Sequence, residues 1–146
     1  MSDERPVLAD YRWTRPFPTR WHDNDAFAHL NNTIYYSAMD TTVTSWLLAN
    51  TGFALGAEAG DRAVVISSSC RYFASGAFPD GLVVGLRADR VGRSSVAWGL
   101  GIFRERDEEL LATGTFVHVF VDLDQRPTPV PQAIRDRIAS ELEAHT

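Results

Sequence analysis

The sequence predicts an α+β fold, in which antiparallel strands lie beside one long helix. Two observations carry this prediction. Between Thr33 and about Asn50, apolar residues recur at spacings of three and four, so that Tyr35, Met39, Val43, Trp46 and Leu47 share one stripe. After residue 62 the period falls to two, and four strand-like runs follow one another across short turns. A run of strands beside one buried helix is an α+β layout.

Residues 1–10 read as a frayed lead-in. Tyr11 to Thr19 reads as an imperfect strand with Tyr11, Trp13 and Phe17 on one parity, and Pro16 and Pro18 demote it to an edge strand or an irregular one. A polar stretch, Arg20 to Asn32, comes next. The helix over 33–50 has Asn31 or Asn32 as its N-cap and Thr51-Gly52 as its stop. At ~1.5 Å per residue it spans about 27 Å, enough to cross a small sheet. Thr41, Thr42 and Thr44 are poor helix formers, so packing rather than propensity has to hold it.

Residues 52–61 are rich in Gly and Ala and read as a loop. Arg62 to Ala74 forms the next strand, and Ser75 to Gly81 the turn after it. Leu82, Val84, Leu86 and Ala88 mark a third strand. Gly92-Arg93-Ser94 turns the chain into a fourth, marked by Val96, Trp98, Leu100 and Ile102. Arg106 to Glu109 is a charged hairpin tip. Leu110 to Leu123 is the longest strand, with Val117, Val119 and Val121 on one face and Phe116, His118 and Phe120 on the other. Apolar residues on both faces suit a central strand covered on both sides. A proline-rich connector, 126–131, leads to a short helix with Ile134, Ile138 and Leu142 on one stripe. No repeat or break in composition divides the chain, so residues 1–146 read as one domain.

Composition excludes several function classes. Apolar residues make up 45% and charged residues 23%, which permits a packed core and argues against disorder. The net charge of −5 argues against general nucleic-acid binding. All 14 basic residues are arginine, so lysine chemistry is absent. Cys70 is the single cysteine, which removes intramolecular disulfides and cysteine zinc sites. No apolar run approaches the ~20 residues of a membrane span, and the charged start lacks a signal-peptide core; a cytoplasmic location is expected. There is no G-x-S-x-G elbow, G-x-G-x-x-G loop or H-E-x-x-H motif.

The chemistry concentrates between Arg20 and Asn32, which holds two carboxylates, two imidazoles and three carboxamides at the entrance of the helix. The first N–H groups of a helix lack internal partners and can polarise a carbonyl or hold an oxyanion. Asp23 and Asp25, two apart in an extended segment, would point to one side, where the interaction of two carboxylates is expected to raise the pKa of one of them. A carboxylate so placed can act as nucleophile or activate water. The alternative is that both aspartates simply cap the turn and the helix. His22, Asp23, Asp25 and His29 match no strong metal-ligand spacing, and no metal or other cofactor is expected. His118, in an apolar strand, reads as a hydrogen-bonded core residue. Arg87, Arg90 and Arg93 beside Ser94 and Ser95 read either as a phosphate site or as a solvated edge.

The pattern Arg20-Trp21-x-Asp23-x-Asp25-x-x-x-His29-x-Asn31-Asn32-x-x-Tyr35 resembles the opening motif of the 4-hydroxybenzoyl-CoA thioesterase family of hotdog-fold proteins. Asp40, Tyr72, Pro79-Asp80-Gly81, Gly92-Arg93-Ser94-Ser95, the run from Val119 through Arg126-Pro127, and Pro131 extend the resemblance over nearly the whole chain. It implies a curved antiparallel sheet wrapped around a central helix. It also implies a homodimer, often paired into a homotetramer, with active sites between subunits. The implied activity is hydrolysis of an acyl-CoA substrate to a free acid and CoA. Asp25 falls on the catalytic carboxylate, with Asp23, His29, Asn31, Asn32 and Tyr35 in support. Arg93, Ser94 and Ser95 resemble the turn that meets the CoA nucleotide. Asp40 is a reserve acid, because some hotdog relatives carry the acid on the helix. Ala28 stands where the family often has glycine, and is expected to alter the turn that presents the carbonyl-binding N–H groups. A non-catalytic acyl-CoA-binding protein is the alternative reading. A hotdog dehydratase or hydratase is a third, although its usual motifs are not found.

Overall fold

Helix α1 (Asn32–Asn50) forms where the helical period predicts it. Asn31 is the N-cap: its Oδ1 accepts the Thr33 N–H at 3.0 Å and the Thr33 hydroxyl at 2.9 Å. At the other end the Thr51 hydroxyl donates to the Leu47 carbonyl at 2.6 Å, and Gly52 takes a φ of +73°, the left-handed conformation that glycine favours. Tyr35, Met39, Val43, Trp46 and Leu47 are all buried, together with Ala38 and Thr42. Thr42 donates its hydroxyl to the Ala38 carbonyl at 2.7 Å, which places a β-branched residue on the buried face without an orphan donor.

The computed structural model describes residues 5–54 and 60–143. The middle of the Gly/Ala-rich loop, residues 1–4 and His145 lie outside that range. Strands β1 (Trp13–Pro18), β2 (Arg62–Tyr72), β3 (Gly81–Val91), β4 (Ser95–Arg104) and β5 (Leu110–Val121) form one sheet in the order β1-β3-β4-β5-β2, antiparallel throughout. β1 occupies an edge, where its prolines lose no ladder bond. β2 occupies the other. Helix α1 lies against β3, β4 and β5. Helix α2 (Gln132–Arg137) runs on into a wider turn at Ile138–Leu142 and buries Ile134, Ile138 and Leu142, the expected stripe.

Two expectations change. Tyr11 lies before β1 rather than within it, and is buried. β5 is interior but covered on one face only. Phe116, His118 and Phe120 are buried on the helix side, whereas Val117 and Val119 are half-buried on the other. The reason is curvature: the sheet wraps α1 on its concave side, and nothing among the described residues covers the convex side there.

Close approach of helix and sheet depends on Gly114. A Cβ there would stand 2.2 Å from Met39 Sδ and 2.9 Å from the Ser69 carbonyl oxygen. His118 is a core residue, as its setting in the sequence predicts. The Trp98 indole N–H donates to His118 Nδ1 at 2.8 Å, which requires that nitrogen to be unprotonated. Burial holds the His118 pKa below the ordinary range, against the opposing charge of Asp40.

Two predictions follow from this packing. Gly114→Val lowers stability by about 1–3 kcal/mol, the scale of core overpacking, as read by denaturant unfolding. His118 is neutral in the folded state but binds a proton near pH 6.5 when unfolded, so its contribution is present above pH 6.5 and lost as pH falls below it. His118→Gln, which keeps an acceptor for Trp98, flattens the fall in melting temperature between pH 7 and pH 5; an unchanged slope would assign that fall to other groups.

Candidate active site

The chain enters the site through a single 3-10 turn, Trp21–Asp23. Asp23 is 2% exposed, and its carboxylate is fully engaged. Oδ2 accepts the Arg20 backbone N–H at 2.8 Å, and Oδ1 accepts Arg20 Nε at 3.1 Å and Nη2 at 2.8 Å. Burial pushes the Asp23 pKa up, but the hydrogen bonds and charge of Arg20 outweigh it and hold the carboxyl below its usual range. The Asp23 carbonyl also accepts the Asn31 N–H at 2.9 Å, tying the turn to the helix start. This corrects the expectation that the two aspartates point to one side as an interacting pair. Residue 23 lies in a turn rather than a strand, and its carboxylate is spent on Arg20.

Asp25 builds a different loop. Its Oδ1 accepts the Phe27 N–H at 2.8 Å and the His29 N–H at 3.4 Å, while its own N–H donates to the His29 carbonyl at 2.7 Å. Among the described residues no hydrogen bond reaches Oδ2. Ala28 closes the loop with φ +62°. Alanine here takes the left-handed conformation that glycine favours, at a cost of roughly 1 kcal/mol.

Asp25, His29, Asn31, Asn32 and Tyr35 line one hollow of about 290 Å³, with Leu30, Tyr72, Ala74 and Ser75 completing its wall. The structure thus brings together all the expected supporting residues except Asp23, which braces the loop from behind. Tyr35 is buried, packs edge-to-face on Tyr72 at 5.2 Å, and accepts the Gly76 N–H on its hydroxyl at 3.2 Å. Burial raises its pKa, so it is a neutral phenol at neutral pH. Asp25 also borders a larger hollow of about 470 Å³, formed with Trp21, His22, Asn24, Ala26 and Ala28.

The helix start offers one donor. The Asn31 N–H is taken by Asp23 and the Thr33 N–H by the Asn31 cap, whereas the Asn32 N–H has no partner among the described residues. Asp40 is exposed, eight residues further along α1, about 12 Å at 1.5 Å per residue, and does not line the hollow. Arg93, Ser94 and Ser95 lie at the other end of the sheet. Tyr72 pairs with Ala112 and Ser95 with Val119, so roughly 23 Å of β5 separates the two. There the Arg93 carbonyl accepts the Val130 N–H at 2.8 Å and Arg135 Nη2 at 3.0 Å.

Two residues in the site's framework were not singled out from sequence. Asn24 accepts the Phe78 N–H on Oδ1 at 2.9 Å, and Arg104 donates to the Ser75 carbonyl at 2.8 Å. The available signal for Arg104 was a cation closing an apolar strand just before an acidic hairpin tip.

Among the described residues no group of three or more His, Cys, Asp or Glu side chains is placed to hold a metal, and no helix is long and apolar enough to cross a membrane. Residues 19–138 match the model of the thioesterase-like superfamily. No curated protein matches the chain. A solved structure from Pseudomonas aeruginosa strain PAO1 is 42% identical, covers 98% of this chain and 100% of its own, and has a TM-score of 0.88. A second P. aeruginosa protein, described provisionally as a thioesterase, is 31% identical over 86% of this chain and 96% of its own, with a TM-score of 0.80. A Thermus thermophilus thioesterase solved with coenzyme A and zinc shares the fold at 24% identity, covering 91% and 96%, with a TM-score of 0.77. The chain belongs to the thioesterase-like superfamily and has its hotdog fold.

Proposed function

We propose that this protein hydrolyses an acyl-CoA to a free carboxylic acid and CoA, in the manner of the 4-hydroxybenzoyl-CoA thioesterases, with Asp25 as nucleophile or general base. The observation that carries this reading is that Asp25 and Asn32, whose backbone N–H has no partner among the described residues, line the same hollow. The Asn32 N–H donates to the thioester carbonyl oxygen and stabilises the charge that develops on it. Asp25 then either attacks the carbonyl carbon, releasing the thiolate and leaving a mixed anhydride for water to cleave, or takes a proton from the water that attacks. The hollows on either side of Asp25 suit the two halves of a thioester, with the tyrosine-walled one for the acyl group. His29 and Tyr35 shape that wall, and Asp23 holds the loop.

The unit proposed to carry the reaction is a homodimer formed along β2. Val64, Val65 and Ile66 are 41%, 46% and 62% exposed, and the outer edge of β2 has no strand partner among the described residues. An antiparallel second copy along that edge returns its own Arg93-Ser94-Ser95 turn to the end of the sheet that carries Asp25. The resulting site takes its acid from one chain and its CoA-phosphate contacts from the other. Pairs of such dimers give a tetramer.

Thiol release from short, long and aromatic acyl-CoA esters tests the reading. Asp25→Asn is expected to lower turnover by at least ~100-fold; normal turnover would remove Asp25 from the mechanism. Tight binding of CoA esters without release from any of them would instead mark an acyl-ligand-binding protein. Asn32→Pro tests the donor. Proline suits the first position of a helix, and Asn31 already has the extended backbone (φ −59°, ψ 141°) that precedes one, so the helix start survives while the N–H is lost. Turnover should fall ~10²–10³-fold, and Asn32→Ala, which keeps the N–H, should fall far less. Ile66→Glu is expected to halve the particle mass in light scattering and to abolish turnover together with it.

A further inference from the structure

Arg104 closes β4 after the apolar run Leu100–Phe103, is only 9% exposed, and serves four groups at once. Nη2 donates to the Ser75 carbonyl at 2.8 Å, Nη1 donates to Asp107 at 2.9 Å and to Glu109 at 2.8 Å, and Nε faces the Asp80 carboxylate at 3.4 Å. Neutralising the hairpin carboxylates does not require the first of these contacts. The Ser75 carbonyl belongs to the loop that leads from β2 to β3, and that loop grips the Asp25 segment at both ends. The Phe78 N–H donates to Asn24 Oδ1 at 2.9 Å, just before Asp25. The Gly76 carbonyl accepts the Leu30 N–H at 2.8 Å, just before the N-cap, and the Gly76 N–H donates to the Tyr35 hydroxyl at 3.2 Å. There is no slack around it: a Cβ on Gly76 would lie 3.0 Å from Leu111 Cδ1 and 3.2 Å from Leu30 Cδ1. A shift of this loop is passed on to Leu30 and Tyr35 rather than absorbed.

We propose that Arg104 is a positioning residue for the hydrolysis: by holding the Ser75–Gly76 peptide it sets Leu30 and Tyr35, and through them the register of Asp25 against the Asn32 N–H. The inference rests on the acyl-CoA hydrolase reading above. It requires arginine in particular. A guanidinium addresses a carbonyl and a carboxylate pair along fixed directions, whereas an ammonium supplies the charge without that fork.

Arg104→Lys keeps the charge among the three carboxylates and is the informative variant. Its kcat should fall tenfold or more, on the scale of the ~100-fold loss expected for a misplacement near 1 Å, with KM within about threefold because Arg104 does not touch substrate. Tyr35→Phe removes the acceptor of the same Gly76 N–H, so the kcat losses of the two variants should combine to less than their product. Arg106→Gln is the control. Arg106 approaches the same Asp80 at 3.4 Å from a 67% exposed position, and its loss should leave kcat unchanged. Hydrogen exchange at the Leu30 amide should quicken about tenfold in Arg104→Lys, a readout that needs no turnover. If no ester is hydrolysed by the unaltered protein, the hydrolase reading fails while the exchange result still decides the placement of Leu30. Wild-type kcat and Leu30 exchange in Arg104→Lys would overturn the proposal. So would unfolding of that variant at the assay temperature, or kcat losses that simply multiply with those of Tyr35→Phe, because Arg104 would then serve the fold alone.

Discussion

Met39 fills the space that a Cβ at Gly114 would need, and this contact sets how closely α1 approaches the sheet. A helix of 19 residues, about 28 Å long, behaves as a rod at this scale, so fixing its middle fixes the direction of both ends. The apolar stripe does not fix its position along its own axis, because apolar burial is non-directional. That is left to polar contacts at the N-terminus: Asn31 capping Thr33, the Asn31 N–H on the Asp23 carbonyl, and the Leu30 N–H on the Gly76 carbonyl. The helix start is therefore located by the same loops that carry Asp25. A site that needs a carboxylate beside a backbone donor has both referred to one frame.

What the sequence made legible follows the range of the interactions involved. The helix, its N-cap, its glycine stop and its buried stripe are local, encoded within a few residues, and they form as read. So does the edge position of β1, since two prolines forbid the alternative. The strand order β1-β3-β4-β5-β2 depends on pairings between distant segments and leaves no trace in the periodicity. The half-open face of β5 was obscured for a related reason. Val117 and Val119 look like core residues, and only the curvature of the whole sheet shows that their side lacks a cover within one chain. The separation of Ser95 from Asp25 is likewise a property of register, not of spacing.

The two aspartates show the same limit inside a single motif. Two residues apart, they are equivalent to any rule based on parity. The 3-10 turn at Trp21–Asp23 breaks that equivalence by turning Asp23 into the grip of Arg20, leaving Asp25 on the hollow. The reading as a turn-capping residue fits Asp23, whereas Asp25 lines the hollow and is the member of the pair to which the proposed chemistry is assigned. Ala28 belongs to this division. Holding an alanine at φ +62° costs roughly 1 kcal/mol, and the Asp25 loop bears it because four hydrogen bonds within 25–29 over-determine its shape. Strain retained in this way keeps Oδ1 committed to the loop and Oδ2 clear of it.

The geometry of one chain also bears on why pairing and catalysis belong together on the proposed reading. The Asp25 end has a carboxylate, a carbonyl donor and a tyrosine wall, but the basic turn of Arg93-Ser94-Ser95 lies roughly 23 Å away along β5. No rotation of side chains closes that distance, and the sheet between them is a packed core. An antiparallel partner along β2 exchanges the two ends without moving any element of either chain. It also covers the apolar side chains of β2 that one chain leaves in water. The association that removes an exposed edge is then the association that completes the site. The apolar burial that drives pairing supplies the phosphate contacts in place, at no further cost in chain entropy.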